Sequence, residues 1–198
     1  MAEITTALIK ELKDKTQAGM ADCKKALQEV EGDLEKAIEL LRKKGLSSAV
    51  KKMGREASEG IVTSYIHNNN KLGVLLELRT VTDFVAKNED FQTLSKELCM
   101  QIAAANPLYI SVEDIPEEEI SKEKDIYREQ MKDSGKPDNV IDKIIEGKLT
   151  KYYSEVCLLE QEYIKENKVK IKDLIKEKIA TFGENIEVGN FSRFQIGS

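Results

Sequence analysis

The sequence predicts an α+β protein, in which a small three-helix module precedes a core with a three-stranded, mainly antiparallel sheet packed against helices. Residues 72–79 alternate between apolar and mixed positions, which is the two-residue period of a half-buried strand. The apolar positions of this strand are Leu72, Val74, Leu76 and Leu78. Elsewhere, apolar residues recur at the three- and four-residue spacing that is typical of helices.

The composition limits the classes of function. The chain has 198 residues, of which 40% are hydrophobic and 34% charged, enough for one domain with a real core and a small appendage. A net charge of −5 argues against nonspecific nucleic-acid binding. No bilayer-length apolar run or N-terminal signal is visible, so we expect a cytoplasmic protein without membrane contact. Cys23, Cys99 and Cys157 lack metal-ligand spacing and are typical of buried residues, so we expect no metal or other cofactor.

Residues 1–45 are predicted to form the N-terminal module of three short helices. The first helix is expected to end near Thr16, and Asp22 and Asp33 are suited to cap the second and third. Gly45 follows two lysines, an arrangement typical of a left-handed glycine that ends a helix. So small a core is marginally stable alone, so the module is expected to gain stability from a partner or from the rest of the chain.

Residues 46–60 are predicted to be a linker, partly helical, and residues 61–198 the core domain. The core begins with a hairpin, because residues 61–67 are rich in β-branched and aromatic side chains and lead into the alternating strand. Three asparagines at 68–70 supply the turn, since Asn tolerates left-handed backbone angles.

Helices are expected to fill most of the remaining core. A helix beginning near Phe91 stops before Pro107, a mostly exposed helix begins at Pro116, separate helices lie before and after Gly147, and Gly183 closes the last one. Residues 186–196 are predicted to return as a third strand, paired with the hairpin because an isolated hairpin is marginal. Its predicted apolar face consists of Ile186, Val188, Phe194 and Ile196.

A short turn joins strand 72–79 to the helix that follows Asn88. Asp83 is suited to cap a first helical turn, and Asn88 with the two acids behind it is suited to cap a second helix. Asp83 and Phe84 are thus held at both ends, in a position suited to presenting a carboxylate and a ring outward. Residue types alone favour a plainer interpretation, in which Phe84 turns into the core and Asp83 only caps.

Two motifs resemble signatures of the elongation factor Ts family, the nucleotide exchange factors of elongation factor Tu. The first is Thr82-Asp83-Phe84-Val85-Ala86-Lys87-Asn88. The second runs from Leu12 to Leu27 and contains Thr16-Gln17-Ala18-Gly19-Met20-Ala21-Asp22-Cys23-Lys24-Lys25. Lys13 and Gln17 stand where Arg and Gly are usual in the family, and Arg79-Thr80-Val81 replaces a usual Asn, small residue and acid. Other segments, among them Gly183-Glu184-Asn185-Ile186, extend the resemblance over essentially the whole chain.

The resemblance implies a function and the residues for it. The chain would promote GDP release from elongation factor Tu by disturbing the Mg²⁺ and phosphate site of its G domain, acting by binding rather than as an enzyme. The sequence shows no P-loop, so the chain itself is not expected to bind GDP. The implied partner contacts lie in the short turn after strand 72–79, which we call the corner. They are Thr82, Asp83, Phe84 and Val85. The module, which in the family resembles a ubiquitin-associated domain, would dock on the G domain through Leu12, Gly19, Met20 and Lys24. Short family members act as homodimers, so we expect a homodimer.

Other interpretations fit parts of the sequence. On residue type alone, Met20 could equally pack inside the module. The three helices could instead belong to an adaptor that binds another helical or ubiquitin-like partner, with the core as scaffold. Asp83 with Glu89 or Asp90 could form the carboxylate pair of a hydrolase, but acids near a helix start usually complement its dipole. The sequence offers neither a nucleophile–base pair nor a Gly-rich phosphate loop to support that chemistry.

Overall fold

The structure is a computed structural model that describes residues 4–16, 18–132 and 134–197, without the side chains of Leu46 and Ser48. The helices of these residues are α1 Thr6–Thr16, α2 Met20–Glu29, α3 Leu34–Lys52, α4 Asp83–Ala86, α5 Glu89–Ala105, α6 Glu117–Gln130, α7 Asp138–Val156 and α8 Ile171–Phe182. The strands are β1 Glu59–Ile66, β2 Leu72–Thr80, β3 Glu162–Tyr163, β4 Glu166–Lys170 and β5 Ile186–Gln195. One antiparallel sheet has the order β1-β2-β5, and β3 pairs with β4. The predicted α+β fold class is confirmed.

The first three helices pack around a small apolar core. Its buried members are Ile9, Leu12, Cys23, Ala26, Leu27, Ala37 and Leu41. Helix α1 ends at Thr16, as predicted, and Asp33 caps α3 by accepting a 3.1 Å hydrogen bond from the Lys36 N–H. The prediction that Asp22 caps the second helix is wrong, because α2 already begins at Met20 behind the extended backbone of Gly19. Asp22 lies instead in the first turn of α2, where a negative charge complements the helix dipole.

The prediction that Gly45 ends the third helix is also wrong. Helix α3 continues to Lys52, and Gly45 does not have the positive φ of a left-handed cap. A Cβ atom at Gly45 would lie 3.2 Å from Cβ of Ala180 on α8. The glycine therefore permits a close helix–helix approach, and residues 46–52 of the predicted linker are helical.

A second glycine, Gly147, is predicted to separate two helices but lies inside α7, so this prediction is wrong as well. A glycine within a helix costs about 1 kcal/mol relative to alanine. Ile145 and Leu149, on either side of Gly147, are buried, and tertiary packing of this kind supplies most of the stability of a helix in a protein. The β3–β4 hairpin was not predicted, because strands of two and five residues are too short to establish an alternating pattern.

The central strand β2 has the predicted alternation, with Val74, Leu76 and Leu78 buried. The last strand departs from its prediction, because Phe194 and Ile196 are exposed. The alternation of burial in β5 shifts by one residue after Val188, which is the effect of a local irregularity in a strand. Gly189, Phe191 and Arg193 are consequently the half-buried residues in the second part of β5.

The described residues group into two compact units. One unit combines those of Met1–Ile61 with Arg79–Asn88 and Ile175–Glu187, and so contains the three-helix module and the corner after β2. The other combines those of Val62–Leu78, Glu89–Leu174 and Val188–Ser198, and so contains most of the sheet. In this second unit α5 covers one sheet face, where the hydroxyls of Ser95 and Thr63 are 2.7 Å apart. The domain boundaries proposed at residues 45 and 60 stay predictions.

The three cysteines are buried and unpaired with one another, as the sequence predicted. Burial raises the pKa of the Cys99 thiol and that of the Cys157 thiol to about 11. Within the described ranges, none of the helices has an apolar stretch sufficient to traverse a bilayer.

Candidate functional site

The corner after β2 is built from a single helical turn. Thr82 is the N-cap of α4, with the extended angles φ −126° and ψ 152°. The backbone N–H groups of Ala86 and Lys87 donate to the carbonyls of Thr82 and Asp83 at 3.3 and 3.0 Å. Helix α5 begins directly after Asn88, with two acids in its first turn. Strand β2 thus ends at Thr80 just before the corner, and α5 begins at Glu89 just after it, as the sequence predicted. The prediction that Asp83 caps the first turn is wrong, because Thr82 is the N-cap and Asp83 is the first residue of α4.

Phe84 points away from the protein, with 84% of its surface exposed. Val85 is half-buried and Ala86 is buried, so the turn packs through these two residues and not through the ring. The interpretation in which Phe84 joins the core is therefore wrong. An exposed ring forgoes the roughly 1.5–3 kcal/mol that burial of a Phe side chain provides, and this free energy is available for binding a partner.

Asp83 forms an ion pair with Lys87, whose Nζ lies 2.7 Å from the carboxylate. Both side chains are at least half exposed. The hydrogen bond from Lys87, followed by its positive charge, holds the pKa of Asp83 below its ordinary value. The same contact raises the pKa of Lys87. Asp83 is therefore a fixed negative charge at neutral pH and not a proton donor, which argues against a role as an acid catalyst.

Thr82 uses its side chain to hold the corner rather than to cap α4. Its Oγ1 and backbone N–H donate to the Glu184 carboxylate at 2.7 and 3.0 Å. The Thr80 hydroxyl donates to the same carboxylate at 3.2 Å. Glu184 follows Gly183, whose φ of 79° ends α8. Sequence reasoning missed Glu184 as a site residue, and the family-like segment 183–186 was the only signal that pointed to it.

The residues implied for the N-terminal module do not all reach the surface. Gly19 precedes α2, and Met20, the first residue of α2, is 46% exposed. Lys24 is exposed one turn later, on the same helix face as Met20. Leu12, in contrast, is fully buried in the module core, so its side chain supports this surface from beneath and cannot itself contact a partner. Of the two placements considered for Met20, the structure has the exposed one.

The comparisons with known proteins agree over the full length of the chain. The family model described as Elongation factor TS matches residues 1–198. The chain is 60% identical over 194 residues to Elongation factor Ts of Thermodesulfovibrio yellowstonii, covering 98% of this chain and 96% of that protein. It is 56% identical over 195 residues to Elongation factor Ts of Fervidobacterium nodosum, covering 98% and 99%. It is 54% identical over 198 residues to Elongation factor Ts of Oleidesulfovibrio alaskensis, covering both chains completely. The chain therefore belongs to the elongation factor Ts family of translation elongation factors.

Proposed function

We propose that this chain is a guanine nucleotide exchange factor that binds elongation factor Tu and promotes release of its GDP. The observation that carries this proposal is the exposure of the Phe84 ring on a short, fixed turn beside an ionised Asp83. Membership of the Ts family supports elongation factor Tu as the partner.

In this proposal, residues 82–85 press into the G domain next to its Mg²⁺ and phosphate site. The Phe84 ring inserts between apolar elements of the partner, and the Asp83 carboxylate competes with or repels groups near the metal. The charge of a bound Mg²⁺ is among the strongest local interactions that hold a diphosphate. Displacing the elements that carry the metal therefore weakens the hold on GDP.

The magnitude of the effect requires more than the corner. Speeding GDP release by four decades means lowering the barrier by about 5–6 kcal/mol, at roughly 1.4 kcal/mol per decade. Burial of one Phe side chain supplies about 1.5–3 kcal/mol of this. The remainder must come from other contacts that form fully only when the G domain is deformed.

We assign those other contacts first to the N-terminal module. An exposed surface lies at the start of α2. Met20 supplies a flexible apolar side chain and Lys24 a positive charge, and Gly19 is exposed beside them. Methionine adapts well to irregular apolar surfaces, which suits it to a docking contact. Leu12 contributes indirectly, because it shapes the core on which α2 rests.

We also propose that two copies of this chain form a homodimer through the open face of the sheet. One face carries Thr63 against α5, whereas the other presents exposed apolar side chains, among them Val62, Ile66, Phe194 and Ile196. A Cβ at Gly73 would lie 3.0 Å from Cδ1 of Ile66, so the Ile66 side chain lies over Gly73 of β2 on this face. Apolar surface concentrated in this way is typical of a protein–protein interface.

The proposed activity is one of binding. No bond is made or broken by this chain, GDP stays on the partner until it is released, and no cofactor, nucleic acid or membrane takes part. The site of action is the cytoplasm. By linkage, GDP must weaken the binding of this chain to elongation factor Tu by the same factor as the chain weakens GDP.

The experiment that tests the function is stopped-flow release of fluorescent GDP from elongation factor Tu, with and without this chain. We expect the release rate to rise with the concentration of the chain and to saturate. A complex that forms without faster release would favour the adaptor interpretation. Absence of both binding and faster release would contradict elongation factor Tu as the partner.

A further inference from the structure

The Glu184 carboxylate accepts three hydrogen bonds from Thr80 and Thr82, which precede Asp83 and Phe84. Both of its carboxylate oxygens are used, one by Thr82 Oγ1 and the other by the Thr82 N–H and Thr80 Oγ1. Thr80 is completely buried at the end of β2. Three donors converge on a single acceptor group at the point where the strand becomes the corner.

The residue after Glu184 is held in place by buried hydrogen bonds. Asn185 is 1% exposed, and its Nδ2 donates to the carbonyls of Met53 and Arg55 at 3.1 and 2.8 Å. Those carbonyls belong to the chain that leaves α3. The buried Asn185 amide therefore anchors the backbone next to Glu184, while the Glu184 carboxylate faces the corner.

We propose that Glu184 is a positioning residue for nucleotide exchange, which holds the corner 82–85 in the orientation that presents Phe84 and Asp83 to the partner. The proposal rests on the exchange function proposed above. Glu184 itself touches neither Phe84 nor the partner in this scheme; it acts through Thr80 and Thr82.

The physical reason lies in how few bonds α4 has of its own. A single turn fixes several backbone angles for one or two hydrogen bonds, so it is unstable without external support. Hydrogen bonds to an ionised acceptor are stronger than those between neutral groups. The Glu184 contacts therefore restrict the corner before binding, and preorganisation of this kind lowers the ordering cost when Phe84 enters the partner.

The first test compares the Glu184→Gln variant with Glu129→Gln, which removes one negative charge from an exposed position on α6. The amide of glutamine can accept at only one of its two ends, so at least one corner donor loses its acceptor. We expect Glu184→Gln to lower the saturating rate of GDP release by about tenfold, and Glu129→Gln to leave it unchanged. A Glu184→Gln rate equal to that of the control would overturn the proposal.

The second test separates positioning from a general loss of stability. In the double variant Asp83→Ala/Phe84→Ala, the groups that Glu184 is proposed to position are absent. Adding Glu184→Gln to this background should lower the residual rate by less than about twofold, because coupled residues are strongly non-additive. A further tenfold loss in the background would mean that Glu184 acts by another route, and the proposal would be wrong.

A third pair of variants keeps the proposal testable if Glu184→Gln does not fold. Thr82→Val removes the hydroxyl but keeps the branched shape, whereas Thr82→Ser keeps the hydroxyl. We expect the valine variant to release GDP several-fold more slowly at saturation than the serine variant, because only serine keeps the hydroxyl that donates to Glu184. Equal rates for the two variants would overturn the proposal.

Amide hydrogen exchange distinguishes failure of this inference from failure of the exchange function itself. We expect Glu184→Gln to speed exchange of the Ala86 and Lys87 amides by at least about tenfold, and to leave the Asn106 amide at the end of α5 unchanged. This readout needs no partner. If wild-type protein does not accelerate GDP release but the two amides respond as expected, the exchange function fails and the structural role of Glu184 stands. If these amides do not respond, the positioning role is wrong whatever the kinetics.

Discussion

Asp83 and Lys87 lie one helical turn apart and form a 2.7 Å ion pair across α4, directly beside the exposed ring of Phe84. The pair keeps a negative charge next to an apolar surface that projects into solvent. The cation comes from the same turn, so the arrangement forms without the partner. This juxtaposition of ring and carboxylate is the structural basis of the proposed function.

The ion pair predicts the titration of Asp83. We expect the pKa of Asp83 to lie below its ordinary value of 3.8, since Lys87 stabilises the ionised form. Because the folded-state pKa is lowered, the stabilisation is present above pH 3.8 and is lost as the pH falls through the lower folded-state value. The contribution is small, because exposed ion pairs are screened by solvent.

NMR titration of the Asp83 side-chain carboxyl measures this effect directly. Lys87→Gln should move the pKa of Asp83 back towards 3.8, and Lys132→Gln, which removes another exposed lysine just after α6, should not. An Asp83 pKa that is the same in Lys87→Gln and in the wild type would contradict the role assigned to the pair.

Gly45 and Gly147 both lie within helices, but we expect an added side chain to change the stability of the protein differently at the two positions. A Cβ atom added at Gly147 would meet open space, so Gly147→Ala should stabilise the protein by about 0.5–1 kcal/mol through helix propensity. Gly45→Ala gains the same propensity but brings the new methyl group to 3.2 Å from Ala180. We expect Gly45→Ala to be less stable than Gly147→Ala, and Gly45→Leu to destabilise the protein by about 1–3 kcal/mol.

Urea unfolding followed by circular dichroism measures these free energies. The two alanine variants serve as controls for each other, because both replace a glycine within a helix. Equal stabilisation by both would mean that the approach of α8 to Gly45 is not a close contact in solution.

The open sheet face predicts the oligomeric state. Light scattering should give about twice the chain mass of 22.4 kDa for the wild type. Phe194→Asp places a charge on a ring position that is 67% exposed in the single chain, and should shift the protein to the monomer. Ile126→Asp, at an exposed apolar position on α6, is the matched control and should remain dimeric. A wild-type protein of single-chain mass at micromolar concentration would contradict the proposed dimer.

The module surface predicts a loss of exchange rate with the corner itself unchanged. Met20→Ala removes an exposed apolar contact that is assigned to the deformed G domain, so we expect it to lower the saturating rate of GDP release several-fold. Val50→Ala, an exposed apolar position on α3, is the control. A Met20→Ala rate equal to that of the control would contradict the contact assigned to the module.

Much of the fold follows from local patterns in the sequence. The alternation in β2, the cap at Asp33 and the end of the last helix at Gly183 each depend on a few neighbouring residues, and each was predicted correctly. Gly45 and Gly147 were assigned wrongly because a glycine can end a helix or can lie inside one, and the local sequence does not distinguish the two. Whether it ends a helix or admits a neighbour depends on residues such as Ala180, far away in the chain.

In the candidate site, too, some features follow from local sequence and others depend on contacts between distant residues. Asp83 and Phe84 were found from the strand–turn–helix pattern and the family resemblance, but the outward direction of the ring depends on the packing of Val85 and Ala86. The contact between Thr82 and Glu184 joins residues 102 positions apart, and no local pattern reveals such a pair. Leu12 was assigned to the partner surface because it lies in a family motif, whereas burial in the module core decides its role.

The Phe84 ring is proposed to act within the partner, and the saturating rate of GDP release with Phe84→Ala tests this most directly. Leu108→Ala, which removes another exposed apolar side chain, is the control. We expect Phe84→Ala to lower the saturating rate by about 10- to 100-fold, the equivalent of burying one Phe side chain, while Leu108→Ala matches the wild type. A Phe84→Ala variant that binds elongation factor Tu and releases GDP as fast as the wild type would contradict the claim.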